Sequence, residues 1–295
     1  MTKPESPAIR VHDDPEYFRE ATNFTAAQTA FAGRLIEKDY FCSVLLDHLA
    51  TTAGEGLVFK GGTCLAKVHA GFYRLSEDLD FVISMPVDAT RPERRRRVAG
   101  VKLIVAALPD VIPCFRIQQP MAGANQSTQY NGIVGYESLL GGQLETIKIE
   151  VSLREPLLTA AAMAEARSIL LDPVSNEPMV SPVQIQCISK TEAFAEKFRA
   201  ALTRREVAVR DFFDIDYAVR RLGLLPQDEK MVHLVSAKLA TPGNDPVDVS
   251  EHRLAALRQQ IEPQLKPVLR ERDFTEFDLD RAFKTVVELA KVAVR

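Results

Sequence analysis

The chain has 295 residues, 46% hydrophobic and 26% charged, with a formal net charge of −3. That is material for one large core or two modest domains, and the near-neutral balance excludes a globally basic nucleic-acid coat, so any RNA contact has to come from a local patch. Four cysteines, Cys42, Cys64, Cys114 and Cys187, are scattered without a CxxC pair, which predicts reduced cytosolic thiols rather than disulfides or zinc ligands.

In chain order, residues 1 to about 20 are polar and carry Pro4 and Pro7, a pattern that predicts a surface arm. The start lacks an apolar h-region and no run is long enough to span a bilayer, so a cytoplasmic protein is expected. From Thr25 to Ala50, Phe31, Leu35, Tyr40, Val44, Leu45 and Leu49 recur at helical spacing and predict one or two helices. His48 lies alone among them and reads as a boundary side chain rather than a ligand.

The stretch from Phe59 to Ile83 organises the rest. Leu57-Val58-Phe59 is too short for a helix and predicts a strand. Gly61 and Gly62 follow, where a backbone turns sharply and exposes its N–H groups, and Thr63 to Ala70 reads as a helix. Anions favour such a helix N-terminus. Asp78 and Asp80 are two residues apart on a second predicted strand, hence on one face. Like charges held that close call for a divalent cation, and Mg²⁺ is suited to one or two carboxylates plus phosphates and waters. A phosphate cradle beside a carboxylate pair predicts a nucleoside triphosphate site.

Further on, Arg91 to Leu108 predicts a helix opened by Pro92. Its Arg94–Arg97 run is equally consistent with a solvated face and with RNA phosphates. Strands are predicted at Phe115–Gln119, Gln129–Tyr136 and Gln143–Leu153, with a loop over Met121–Ser127. In the third strand, alternation places Ile147, Ile149 and Val151 on one face and Thr146, Lys148 and Glu150 on the other. Ala160–Leu171 reads as helical or linking, and Val183–Cys187 as a short strand.

From Ser189 the pattern turns helical, with Ser189 as N-cap and Glu192 at capping-box spacing. Phe194, Phe198 and Leu202 form an apolar stripe, and Lys190 and Lys197 share a face. In Arg210-Asp211-Phe212-Phe213-Asp214, the acids Asp211 and Asp214 lie on one face at a helix start, where Asp211 serves either as a cap or as part of a site. Arg204, Arg205 and Arg210 add local positive charge. Past Leu222 helices are expected over 228–239, 250–260, 263–270 and 274–294, broken at Thr241–Pro246.

The segment K-G-G-T-x-L-x-K…R-x-S-x-D-x-D, residues 60 to 80, resembles the first motif of the DNA polymerase β-like nucleotidyltransferases. Its form is similar to that of the AbiEii/AbiGii toxin family, which includes the MenT toxins of mycobacteria. The likeness runs from about residue 30 to about 225 and includes A-E-K-F-R-A-A-L, around Lys197, and the Arg-Asp-x-x-Asp motif at Arg210–Asp214.

What the resemblance implies is specific. The fold is α+β, a small mixed β-sheet nucleotidyltransferase lobe with flanking helices over 1–187, then a C-terminal helical domain over 188–295. Asp78 and Asp80 bind Mg²⁺, and Glu150 is the third carboxylate. Gly61, Gly62, Thr63 and Ser76 cradle phosphate. Lys190 or Lys197 neutralises it, and Asp211 organises the site. The implied activity is a toxin that adds nucleotides from a nucleoside triphosphate to the 3′ end of tRNA, with an AbiEi-like antitoxin as partner. A protein side chain as acceptor, and nucleotide binding without transfer, are the alternatives.

Overall fold

The structure is a computed structural model that describes residues 9–54 and 56–294. It divides into two compact units. One comprises residues up to 157 with 161–187, and the other comprises 158–160 with 188 onward.

The first unit is built on a seven-stranded mixed sheet. Its strands are β1 (Val58–Lys60), β2 (Leu79–Val82), β3 (Phe115–Ala124), β4 (Gln129–Glu137), β5 (Leu144–Ser152), β6 (Ala162–Ala166) and β7 (Val183–Cys187). They lie in the order β3-β4-β5-β2-β1-β7-β6. The two short strands β1 and β2 are therefore central, running antiparallel to each other. Each has a parallel partner on its other side, β7 for β1 and β5 for β2. Parallel strands flanked on both faces become apolar throughout, and Val58, Phe59, Leu79, Phe81 and Val82 are all buried.

Helices α1 (Pro15–Thr29) and α2 (Gly33–Thr52) pack on each other, and α2 also packs on β7. Asp14 caps α1, accepting a hydrogen bond from the Tyr17 N–H. The expected N-terminal arm is corrected here. Residues 1–8 of it, with Pro4 and Pro7, lie outside the described residues, while Phe18 is fully buried and its ring lies 4.9 Å from that of Tyr40. The sparse apolar residues of the first turn masked a helix held by one large aromatic. Two further corrections concern the sheet. Ala160–Leu171 contains a strand, β6, because its residues Ala162 to Ala166 pair antiparallel with β7. The loop expected at Met121 belongs to β3, which reaches Ala124 across two register shifts opposite β4.

Helix α4 (Arg91–Ala106) opens with a full capping box between Thr90 and Glu93, and a short helix, α5 (Leu108–Val111), follows it. Of its arginine run, Arg94 is buried and donates to the carbonyls of Leu153 and Val87. Arg95, Arg96 and Arg97 remain exposed.

Within the core of this unit α2 carries charge. Asp39 Oδ1 lies 2.6 Å from Lys67 Nζ, and Asp39 Oδ2 accepts the Ile169 N–H at 3.0 Å. Lys67 also donates to Ser43 Oγ at 2.8 Å. A buried pair of this kind survives only because every charge has partners.

The second unit is helical, with α6 (Lys190–Thr203), α7 (Val209–Arg221), α8 (Glu229–Leu239), α9 (Glu251–Gln260), α10 (Glu271–Glu276) and α11 (Leu279–Ala293). Helix α6 packs against α7, α8 and α11. The helix expected over 274–294 is two helices, α10 and α11, with Asp278 capping the second. The capping box expected at Ser189 forms only in half. Ser189 Oγ accepts the Glu192 N–H, but the Glu192 carboxylate turns instead to the N–H groups of Leu158 and Thr159 and to Lys238. A buried ammonium is the stronger partner for a buried carboxylate.

Replacing Lys67 by Met is expected to lower stability by about 3–5 kcal/mol, since Asp39 is left as an uncompensated buried charge. Urea unfolding of the two proteins measures it, and a cost below about 1 kcal/mol contradicts the buried pair.

Candidate nucleotide and metal site

The site in the sheet unit starts from β1. Lys60, its last residue, is directly opposite Asp80 on β2. The chain then turns at Gly61, whose φ is +78°, into the short helix α3 (Gly61–Cys64), continued by a π-helical turn over Leu65–His69. The expected helix thus begins two residues early, at Gly61. A Cβ on residue 61 would sit 2.1 Å from Asp80 Oδ2, and one on residue 62 would sit 2.7 Å from Arg74 Nη2 and 3.0 Å from Ser76 Oγ. Only glycine fits at 61, both for its left-handed backbone and for the carboxylate against it. The glycine turn, Ser76, Arg74 and Asp80 are therefore neighbours.

Asp78 precedes β2 and Asp80 lies on it, with buried Leu79 between two half-buried acids. The Thr63 hydroxyl donates to the Asp78 carbonyl oxygen, pinning α3 to the acid strand. That role engages the one hydroxyl proton Thr63 has, and the side chain is buried. The Asp78 carboxylate accepts the Lys148 N–H at 3.2 Å. On the other side of β2, Asp80 pairs in register with Glu150 of β5. Residues paired in register on neighbouring strands point to the same face, so β2 and β5 present Asp80 and Glu150 together. Alternation on β5 is as the sequence predicts, with Ile147, Ile149 and Val151 buried.

Two cations at this site were given no role from the sequence. Lys148 Nζ lies 2.8 Å from Glu150 Oε2. Partial burial penalises its ammonium, but the Glu150 hydrogen bond and the charges of Glu150, Asp80 and Asp78 outweigh that and raise its pKa above the ordinary lysine value. Lys148 therefore feels all three carboxylates. Its place in the alternation of β5 was the signal, since it shares a face with Glu150. Arg74, buried and beside Gly62, was visible only as one letter of the motif.

Half-buried aspartates beside a turn of N–H groups form a hard-oxygen donor set that fits a divalent cation with phosphate ligands. Glu150 already holds a cation, Lys148, beside the two aspartates, which marks a place where positive charge is stabilised.

In the helical unit, Lys197 of α6 is held between two acids of α7, with Nζ 2.8 Å from Asp211 Oδ1 and 2.9 Å from Asp214 Oδ2. Arg204 adds a contact to Asp211 at 3.1 Å. Asp211 makes no capping hydrogen bond to α7. Burial pushes the Asp211 carboxyl up, but Lys197 and Arg204 more than offset it and leave it below the ordinary carboxylate value. Lys190, at the first position of α6, is exposed. A cavity of about 560 Å³ in this unit, lined by Val219, Leu225, Pro226, Arg281, Lys284 and Glu288 among others, contains none of the predicted site residues.

A family model described as nucleotidyl transferase AbiEii toxin, type IV toxin–antitoxin system, matches residues 44–288. Among solved structures, the chain is similar to MenT4, a nucleotidyltransferase toxin from Mycobacterium tuberculosis H37Rv. The identity is 19% and the TM-score 0.51, over 94% of this chain and 98% of that one. It is also similar to JHP933 from Helicobacter pylori, at 14% identity and a TM-score of 0.47, over 89% and 93% of the two chains. The first likeness supports the fold. Comparison with curated proteins gives no match. No helix among the described residues is long and apolar enough to cross a membrane.

Gly61→Ala is expected to cost about 1–2 kcal/mol from backbone strain alone, with the displacement of Asp80 in addition. Thermal unfolding together with nucleotide binding reports it, and unchanged values for both contradict the close approach. The acid side is equally testable. Asp211 and Glu192 both have lowered carboxyl pKa values, Glu192 because Leu158 N–H, Lys238 and Thr159 outweigh its burial. Their contribution is fully present above the unfolded carboxylate pKa of about 4 and is lost as pH falls below it. Helical-unit stability followed from pH 7 to pH 2 is expected to drop in that window, and to drop less in Lys197→Met.

Proposed function

The chain belongs to the AbiEii family of nucleotidyltransferase toxins of toxin–antitoxin systems, and from that premise we propose that it transfers nucleotides from a nucleoside triphosphate to the 3′ end of tRNA and so blocks translation. The observation that carries this reading is the packing of Asp80 against the Gly61 turn with Glu150 in register beside it. A triphosphate gripped by the turn meets the acids at once.

In this reading the backbone N–H groups of Gly61, Gly62 and Thr63 bind phosphate oxygens at the positive start of α3. Ser76 Oγ and the Arg74 guanidinium, both against Gly62, add donors, and the Thr63 hydroxyl positions the turn. Asp78 and Asp80 would hold the divalent ion that nucleotidyltransferases generally use, here Mg²⁺, which when bound offsets the charge of the triphosphate. Glu150 Oε2 takes the proton of the acceptor hydroxyl as its oxygen bonds to the α-phosphorus. The bond from that phosphorus to the bridging oxygen breaks, and pyrophosphate leaves. Lys148 Nζ, 2.8 Å from Glu150 Oε2, holds that carboxylate in position. Lys190 or Lys197 supplies positive charge for the departing phosphates, with Asp211 as the residue that orients Lys197. Arg95, Arg96 and Arg97 on α4 are exposed and offer a basic face for tRNA phosphates. The family implies an antitoxin partner, which we assign as AbiEi-like, and a tRNA acceptor places the protein in the cytoplasm.

Incubation with each α-labelled nucleoside triphosphate, total RNA and total protein tests this. Label in tRNA 3′ ends is expected, falling by about 10²–10³-fold or more in Asp80→Asn. Label in protein instead, or full activity in Asp80→Asn, overturns it.

A further inference from the structure

Behind the glycine turn the fold brings together three side chains that are far apart in sequence. Cys64 closes α3, His69 ends the π-helical turn that follows, and Cys187 is the last residue of β7. One ligand atom from each, two sulfurs and an imidazole nitrogen, lie within 4.8 Å of one another. Both cysteines are buried and His69 is half-exposed. Among the described residues no other group of three histidine, cysteine or acidic donors is drawn together this closely.

We propose that Cys64, His69 and Cys187 form a binding site for a thiophilic divalent cation of the Zn²⁺ type, distinct from the carboxylate site of Asp78 and Asp80. Tetrahedral Zn²⁺ with Zn–S of about 2.3 Å needs its sulfurs about 3.8 Å apart. Separations no greater than 4.8 Å reach that with side-chain shifts of about 1 Å or less. Thiolate and imidazole donors select Zn²⁺ over Mg²⁺, while the aspartates at the neighbouring site select the reverse. Charge also balances. Both thiols release their protons to solvent on binding, and two thiolates with one dication make a neutral unit, the form that a buried location tolerates. His69, the half-exposed ligand, gives the ion an entry side, and a water would complete the tetrahedron. The two other thiols differ in setting. Burial pushes Cys42 up to about 12 and Cys114 up to about 11, whereas the Cys64 thiol and His69 both hydrogen-bond to Cys187 and favour its thiolate.

The site has a mechanical consequence. Cys187 is the in-register neighbour of Phe59 on β1, one residue before Lys60, and Cys64 lies two residues beyond Gly62. A bound ion fastens the helix behind the glycine turn to the strand beside the one that delivers it. The scattered cysteine spacing hid this, because the ligands converge through the parallel pairing of β1 with β7.

Titration of the reduced, chelator-stripped full-length chain with Co²⁺, then Zn²⁺, tests the site without reference to catalysis. One equivalent of Co²⁺ is expected, with thiolate-to-cobalt charge transfer in the near ultraviolet and tetrahedral d–d bands in the visible. Zn²⁺ is expected to bleach both and to protect two of the four thiols from a disulfide reagent. The melting temperature should rise with Zn²⁺ concentration. Cys64→Ser and Cys187→Ser are expected to lose the charge-transfer band and His69→Ala to lose the tetrahedral d–d bands, while Cys114→Ser keeps both. Circular dichroism of each variant establishes that it is folded, and His69→Gln, on the half-exposed ligand, serves if the cysteine variants are not. Absence of a cobalt spectrum in the reduced wild type, the same spectrum in His69→Gln and the cysteine variants, or oxidation of Cys64 to Cys187 with no metal uptake by the reduced chain overturns the proposal.

Discussion

Gly61 has room for a hydrogen atom and nothing larger. Its φ of +78° and the 2.1 Å that would separate a Cβ from Asp80 Oδ2 state one constraint in two ways. The backbone turning out of β1 must pass against the carboxylate on β2. The pairing of Lys60 with Asp80 makes that inevitable. The sheet order then completes the arrangement, since β5, on the far side of β2, brings Glu150 beside Asp80. Three strands and one turn thus make the Gly61 turn, Asp80 and Glu150 neighbours.

Electrostatics shape both units in the same manner. Asp78, Asp80 and Glu150 are compensated by Lys148, and Asp211 and Asp214 by Lys197 and Arg204. In the core, Asp39 has Lys67, and in the helical unit Glu192 has Lys238. Each of these acids has a cation near it, and Asp78, Asp39 and Glu192 accept backbone N–H groups as well. At the half-buried cluster of β2 and β5 the same need for positive charge suits a divalent ion, and a triphosphate would be drawn in through that ion rather than by the acids.

Much of this was legible in the sequence because it depends on local pattern. The Gly-Gly turn between a short apolar run and an Asp-x-Asp strand fixes β1, α3 and β2, and strict alternation from Ile147 to Val151 fixes the face of Glu150. The family also followed from these motifs, as the match over residues 44–288 bears out. What was not legible depends on partners distant in the chain. Strand β6 reads as an alanine-rich helix or linker and is a strand only because β7 lies beside it. Phe18 gives no periodic signal, yet anchors α1. Glu192 has capping-box spacing, yet the buried ammonium of Lys238 draws it away. Lys148 looked like an ordinary solvent-facing strand residue until β2 placed two aspartates next to it.

The central claim, that Asp78 and Asp80 hold a divalent ion against a triphosphate gripped at Gly61, is tested most directly by electron paramagnetic resonance of Mn²⁺ with a non-hydrolysable nucleoside triphosphate. Wild-type protein is predicted to bind Mn²⁺ far more tightly with the nucleotide than without it, and the protein with both Asp78→Asn and Asp80→Asn to lose that coupling. Equal Mn²⁺ binding by the two proteins in the presence of nucleotide would contradict the account.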